Sequence, residues 1–115
     1  KIKYLYLSLP LFSLSVMLEI INQSVFPRQL SAAHTHLYTE ESINYLCKMY
    51  DFKIIGDWWF GADIPDLYRH FLIKSNLTNQ TFDKYLKNII NDLQHILDKN
   101  KVCSEVHLVL KKNNF

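Results

Sequence analysis

Glycine is nearly missing from this chain. Its 115 residues contain two, Gly56 and Gly61, where average usage of about 7% gives roughly eight. A phosphate-binding loop needs two or three glycines within about eight residues, because backbone N–H groups must approach the phosphate closely. Two glycines beside a tryptophan pair do not make one, so a self-contained Walker or dinucleotide-binding loop is excluded. Cysteine is equally scarce. Cys47 and Cys103 are too few for a disulfide framework; Cys47 falls on the apolar side of a helical pattern, and both read as reduced thiols of a cytoplasmic protein. An excess of one charge is lacking too. Thirteen Lys and Arg against eleven Asp and Glu leave a formal charge of +2, without the strongly basic face that nucleic-acid binding needs. Lys111-Lys112 reads as a solvated strand end. The apolar run from Tyr4 to Ile21 is broken by Pro10, by serines and by Glu19, which argues against a membrane span. It has a basic start in Lys1 and Lys3 but no small-residue cleavage site. Sequons at Asn22, Asn76 and Asn79 hint weakly at a small secreted domain.

Hydrophobic residues make up 49% of the chain and aromatics 14%, enough for one packed domain. Tyr4 to Leu9 alternates with period two and Pro10 ends it: a strand with apolar or aromatic groups on both faces, as a buried sheet has. Leu14, Met17, Leu18 and Ile21 predict a helix over 14–22 that Ser13 can cap. Residues 22–38 lose periodicity and form a long irregular loop, a class that is usually functional or disordered. Thr39, Glu40 and Glu41 open a helix over 40–50 with Ile43, Leu46, Cys47 and Tyr50 as its stripe. Residues 52–60 predict a strand with a possible bulge at Gly56. Asp63 reads as an N-cap for a helix over 64–74, and Ser75 to Thr81 as a polar loop. Phe82, Tyr85, Leu86, Ile89, Ile90, Leu93, Ile96 and Leu97 predict the strongest helix, over 82–98, with that stripe in the core. Residues 105–111 predict a final strand. Three strands among these helices give an α/β layer structure whose edges and faces look incomplete.

Two groups of residues carry chemistry. His34 and His36 flank Thr35. A metal site wants three or four ligands, and no third stands at ligand spacing, so no metal is expected. Local hydrogen bonding, or a base that takes a proton from a substrate hydroxyl, are the readings left for the imidazoles. Trp58 and Trp59 point to opposite faces of a strand; one belongs to the core, and the other can line a pocket or stack on a sugar or base.

The stretch from His34 through Leu37-Tyr38-Thr39, the Ile43/Leu46 helix and Asp51-Phe52 to Phe60 resembles the C-terminal half of class I S-adenosylmethionine-dependent methyltransferases, in the group that acts on small molecules and sugars. That family usually has glycine where Asp51 stands. The resemblance implies a Rossmann-like, doubly wound sheet of which 4–9, 52–60 and 105–111 are the last three strands, the final one antiparallel and inserted between the other two. It implies that residues 1–115 are a single partial domain, that the S-adenosylmethionine site lies mostly outside this chain, and that the fragment is inactive without the N-terminal half. The loop at 22–38 then lies over the substrate mouth. His34 is implied as the base, with His36 second, although the glutamate that accompanies that histidine in the family is Ala33 here. Phe12, Tyr38, Trp58 and Trp59 are the expected walls for a small-molecule or sugar acceptor. The competing reading is a non-enzymatic α/β interaction module using the Trp58-Trp59 region or the 82–98 helix. On the methyltransferase reading, the glycine shortage and the lysine at position 1 mark a truncation.

Overall fold

A computed structural model describes residues 2–31, 33–75 and 80–114. Among the described residues eight elements follow in the order β1 (Tyr4–Pro10), α1 (Leu14–Ile21), α2 (Glu40–Met49), β2 (Phe52–Phe60), α3 (Asp63–Ser75), α4 (Gln80–Leu86), α5 (Ile90–Lys99) and β3 (Glu105–Lys112). The strands form one sheet in the order β1-β3-β2, with β3 antiparallel to both neighbours. β1 and β2 are therefore parallel to one another, and the last strand sits between them.

Period-two alternation on β3 sets the core. Val106, Leu108 and Leu110 point to one face and are buried there with Ile43, Cys47 and Cys103. Their cross-strand partners Leu9, Leu7 and Leu5 share that face, as do Ile54 and Trp59. α2 covers it. The helix starts on a reciprocal capping box, Ser42 N–H to Thr39 Oγ1 at 3.2 Å and Thr39 N–H to Ser42 Oγ at 2.9 Å. It ends where Asp51 adopts φ = 57°. That left-handed turn explains why glycine suits the position; here Asp51 is held there by Asn113 and Asn114, which donate to its carboxylate at 2.9 and 2.6 Å.

The opposite face is open. Tyr4, Tyr6, Trp58 and Val109 lie on it exposed, so β1 is covered on one face and not on two as its composition suggested. The radius of gyration, 17.0 Å, exceeds the about 13 Å of a compact chain this long. The β2 register shifts between Ile54 and Gly56, making Ile55 the extra residue of a bulge. That shift puts Trp59 on the covered face and Trp58 on the open one.

Two helical expectations need correction. Residues 82–98 do not form one helix. α4 ends at Leu86 and α5 starts at Ile90, across a turn closed by Ile89 N–H to Leu86 C=O at 3.0 Å. Asn88, two β-branched isoleucines and Asn91 are weak helix formers in succession, and the break falls among them. Nor is the stripe core throughout: Tyr85, Ile89 and Ile96 are exposed and Leu86, Ile90, Leu93 and Leu97 half-buried, while polar Gln94 is the buried residue of α5. Ser13 makes no capping bond to α1. The cap comes from a distant residue, buried Asp63, whose Oδ1 accepts from Ser15 N–H at 3.1 Å and Ser15 Oγ–H at 3.0 Å. Of the expected polar loop at Ser75 to Thr81, positions 76–79, with two of the sequons, lie outside the described residues.

Candidate functional site at the carboxyl end of the parallel strands

β1 and β2 both end, and β3 begins, at one edge of the sheet. There the chain after Pro10 is stitched to the end of the long loop. Tyr38 N–H donates to Pro10 C=O at 3.0 Å, Phe12 N–H to Tyr38 C=O at 2.9 Å, and Leu11 N–H to Ser104 C=O at 2.9 Å. The Tyr38 side chain thereby stands between two cavities and lines both.

The larger cavity, about 610 Å³, brings together three of the expected wall residues, Phe12, Tyr38 and Trp59, with Met17 and Leu97. Its rim is charged. Lys101 Nζ donates to Glu40 Oε1 at 2.7 Å and lies 5.1 Å from the centre of the Trp59 ring. The bond to Glu40 holds the lysine pKa above its ordinary value. Lys101 sits in a left-handed conformation, φ = 57°, one residue beyond the α5 cap Asn100.

The smaller cavity, about 290 Å³, is lined by His34, His36 and Tyr38 together with Ser8 and Glu105. His34 Nδ1 lies 2.8 Å from Gln29 C=O. A carbonyl only accepts, so in neutral His34 this nitrogen carries the proton and Nε2 carries the lone pair. His36 Nδ1 pairs with Thr35 Oγ1 at 2.9 Å. Among the described residues no three His, Cys, Asp or Glu side chains gather to hold a metal ion.

Trp58 does not join these residues. It lies on the open face, 63% exposed, stacked on Phe60 at 4.5 Å and edge-on to His107 at 5.7 Å. His107 is shared there between Tyr6, whose hydroxyl is 2.7 Å from Nδ1, and Glu105, 3.4 Å from Nε2.

The loop at 22–38 is irregular but anchored at many points. Glu19 is buried and its carboxylate accepts the backbone N–H groups of Arg28, Gln29 and Leu30 at 2.7 to 2.8 Å. The Arg28 guanidinium pairs with Asp66 at 2.7 Å, and Gln29 Nε2 donates to Ser104 C=O at 3.2 Å. Sequence reading missed these anchors, and also Lys101. One signal was present: the chain has two arginines among eleven lysines, and both, Arg28 and Arg69, contact Asp66. A planar fork is chosen where a lysine point charge does not serve.

Both cysteines are free and buried. Burial, reinforced by Asp98, pushes the Cys103 thiol up to about 11, so it is protonated at neutral pH. Comparison with known protein families, with curated proteins and with solved structures finds no match for this chain.

Proposed function

We propose that this chain is the acceptor-binding, C-terminal part of an S-adenosylmethionine-dependent methyltransferase acting on a small molecule or sugar-type acceptor. The observation that carries the reading is the sheet: two parallel strands with an antiparallel last strand inserted between them, and a histidine-bearing loop over their carboxyl end. Open α/β sheets bind ligands at that end. The open face, crossed by Tyr6 and Trp58, suits a sheet that has helices on both sides once the rest of the domain is present.

On this reading neither glycine of the chain holds the cofactor. A Cβ on Gly61 would lie 2.5 Å from Ser104 Oγ and 2.6 Å from Asp63 Oδ2, so the space this glycine leaves is filled by the protein itself. Gly56 belongs to the bulge, with Val109 at 3.8 Å. Neither opens a cradle, and the cofactor, which supplies an electrophilic methyl group, belongs to residues outside this chain. What this chain contributes is the acceptor side. Phe12, Tyr38 and Trp59 give an aromatic wall against which a sugar or ring packs. Lys101 and Glu40 offer polar contacts at the rim. His34, protonated on Nδ1 when neutral, takes the acceptor's hydroxyl proton at Nε2, a step worth about 10²–10⁴ in rate.

Two experiments test this. Calorimetric titration of the 115-residue chain with S-adenosylmethionine is expected to show no binding; tight binding would place the cofactor site here and overturn the division of labour. In the complete polypeptide, His34→Ala is expected to lower methyl transfer to its acceptor about 10²-fold or more while leaving S-adenosylmethionine affinity unchanged.

The exposed Trp58 and Tyr6 also favour a second reading, an interaction module that binds a partner through the open face. Acrylamide quenching separates the two. The methyltransferase reading expects Trp58 to be shielded in the complete polypeptide. The module reading expects it to stay as accessible as in this chain until a partner binds.

A further inference from the structure

The structure assigns to Glu19 the role of a positioning residue that sets the tautomer of His34. The inference rests on the reading of His34 as the base, and it follows from one peptide unit. The carboxylate of Glu19, 4% exposed, receives three consecutive backbone N–H groups, those of Arg28, Gln29 and Leu30. Successive N–H groups converging on an anion form a nest, and here the anion is the protein's own side chain. The Leu30 N–H, 2.8 Å from Glu19 Oε2, and the Gln29 C=O belong to the same peptide plane. Among the described residues there is no cis peptide bond. In a trans peptide the N–H and C=O point to opposite sides. Holding the Leu30 N–H on Glu19 therefore aims the Gln29 carbonyl away from α1, and that carbonyl receives His34 Nδ1–H at 2.8 Å. A second bond, His34 N–H to Ser31 C=O at 3.0 Å, places the imidazole over the carbonyl. Glu19 thus acts on His34 through a rigid amide, without touching it. The buried Gln29 side chain, bonded to Ser104 C=O, ties the same segment to the start of β3. It leaves the direction of the 29–30 peptide to Glu19.

Substitution by glutamine keeps the size of residue 19 and replaces one acceptor oxygen by an NH2 group. Oε1 takes the close pair of donors, Arg28 and Gln29 N–H at 2.7 and 2.8 Å, so the amide oxygen keeps that place and the nitrogen faces the Leu30 N–H, donor against donor, and the peptide loses its anchor. The test is the tautomer of neutral His34, read by long-range ¹H–¹⁵N correlation on the ¹⁵N-labelled chain. The wild type is expected to carry its proton mainly on Nδ1. Glu19→Gln is expected to shift it mainly to Nε2 and to speed exchange of the Leu30 amide about 10–100-fold, the loss of a charge-assisted hydrogen bond. Glu19→Asp, which retains the charge but withdraws the oxygens by one methylene, replaces it where Glu19→Gln does not fold, with the same expectation. Gln29→Ala removes the Ser104 anchor but not the peptide, and is expected to lower stability while leaving the tautomer unchanged. A wild-type proton on Nε2, an unchanged tautomer in the Glu19 variant, or an equal shift in Gln29→Ala overturns the assignment. None of these readouts requires methyl transfer. Failure of Glu19 as the positioning residue is thereby separate from failure of the methyltransferase reading.

Discussion

The two faces of the sheet are built from the same strands and behave as different materials. On the covered face, Leu5, Leu7, Leu9, Val106, Leu108 and Leu110 meet Ile43 and Cys47 of α2. On the other, Tyr4, Tyr6, Ser8, His107, Val109 and Trp58 meet solvent or one another. Adjacent tryptophans divide between them: Trp59 packs toward the core and a cavity, and Trp58 lies open. The lesson is that strand parity, corrected by the bulge at Ile55, decides the role of each aromatic residue more than its chemistry does.

The strongest way to break this contrast is truncation on each face. Leu108→Ala removes a fully buried side chain from the central strand and is expected to cost about 2–5 kcal/mol. Its neighbour Val109→Ala is expected to change stability by less than about 0.5 kcal/mol. Urea unfolding of both variants gives the comparison directly, and equal losses would mean that the open face is covered in solution.

The glycines give a smaller effect with the same logic. Gly61→Ala forces a methyl group to within 2.7 Å of the Ser104 backbone nitrogen, where nothing flexible can yield, and is expected to cost about 1–3 kcal/mol. Gly56→Ala meets only ordinary contact with Val109 and is expected to be neutral or stabilising within about 1 kcal/mol. Thermal midpoints of the pair decide it.

Two histidines sharpen the comparison through pH. His107 on the open face has partners on both ring nitrogens. His70 of α3 is buried, with Asn22 at one nitrogen and, among the described residues, no partner at Nε2. Burial first, then the charge of Arg69, holds the His70 pKa below its ordinary 6.5. The unfolded chain therefore takes up a proton below pH 6.5 that the folded chain resists. Stability is full above that pH and is lost as pH falls below it. His70→Gln is expected to flatten this slope between pH 7.5 and 5.5, measured by urea midpoints.

The smallest expected effect is at the turn into β2. Asp51→Gly relieves a left-handed residue worth about 1 kcal/mol but gives up exposed bonds to Asn113 and Asn114. The net gain is expected to stay below about 1 kcal/mol in a chemical denaturation series.

Much of the fold was legible where side chains repeat locally. Period two marked β1 and β3, aromatic and β-branched content marked β2, each to within a residue, and Thr39 with Glu40 and Glu41 marked the start of α2. The antiparallel last strand between the other two came from the resemblance, because pairing order leaves no trace in alternation. What stayed hidden depends on distant partners. Glu19 stood out only as a charge in an apolar run, since its donors lie nine to eleven residues later in a loop without period. The α4–α5 break escaped because the stripe Phe82 to Leu97 is continuous in sequence, while propensity and the buried amide of Gln94 set the geometry. Of the expected site residues, Phe12, Tyr38 and Trp59 share one cavity and His34, His36 and Tyr38 the next; Trp58 stands apart from both, since the two tryptophans could be assigned to faces only once the bulge was located.

The proposed function puts an acceptor site in this chain and the cofactor site in other residues of the same polypeptide. The most direct measurement is calorimetric titration of S-adenosylmethionine into the complete gene product and into the 115-residue chain, side by side. Saturable binding by the complete polypeptide and none by this chain is expected. Absence of binding by the complete polypeptide, or equal binding by both, would contradict it.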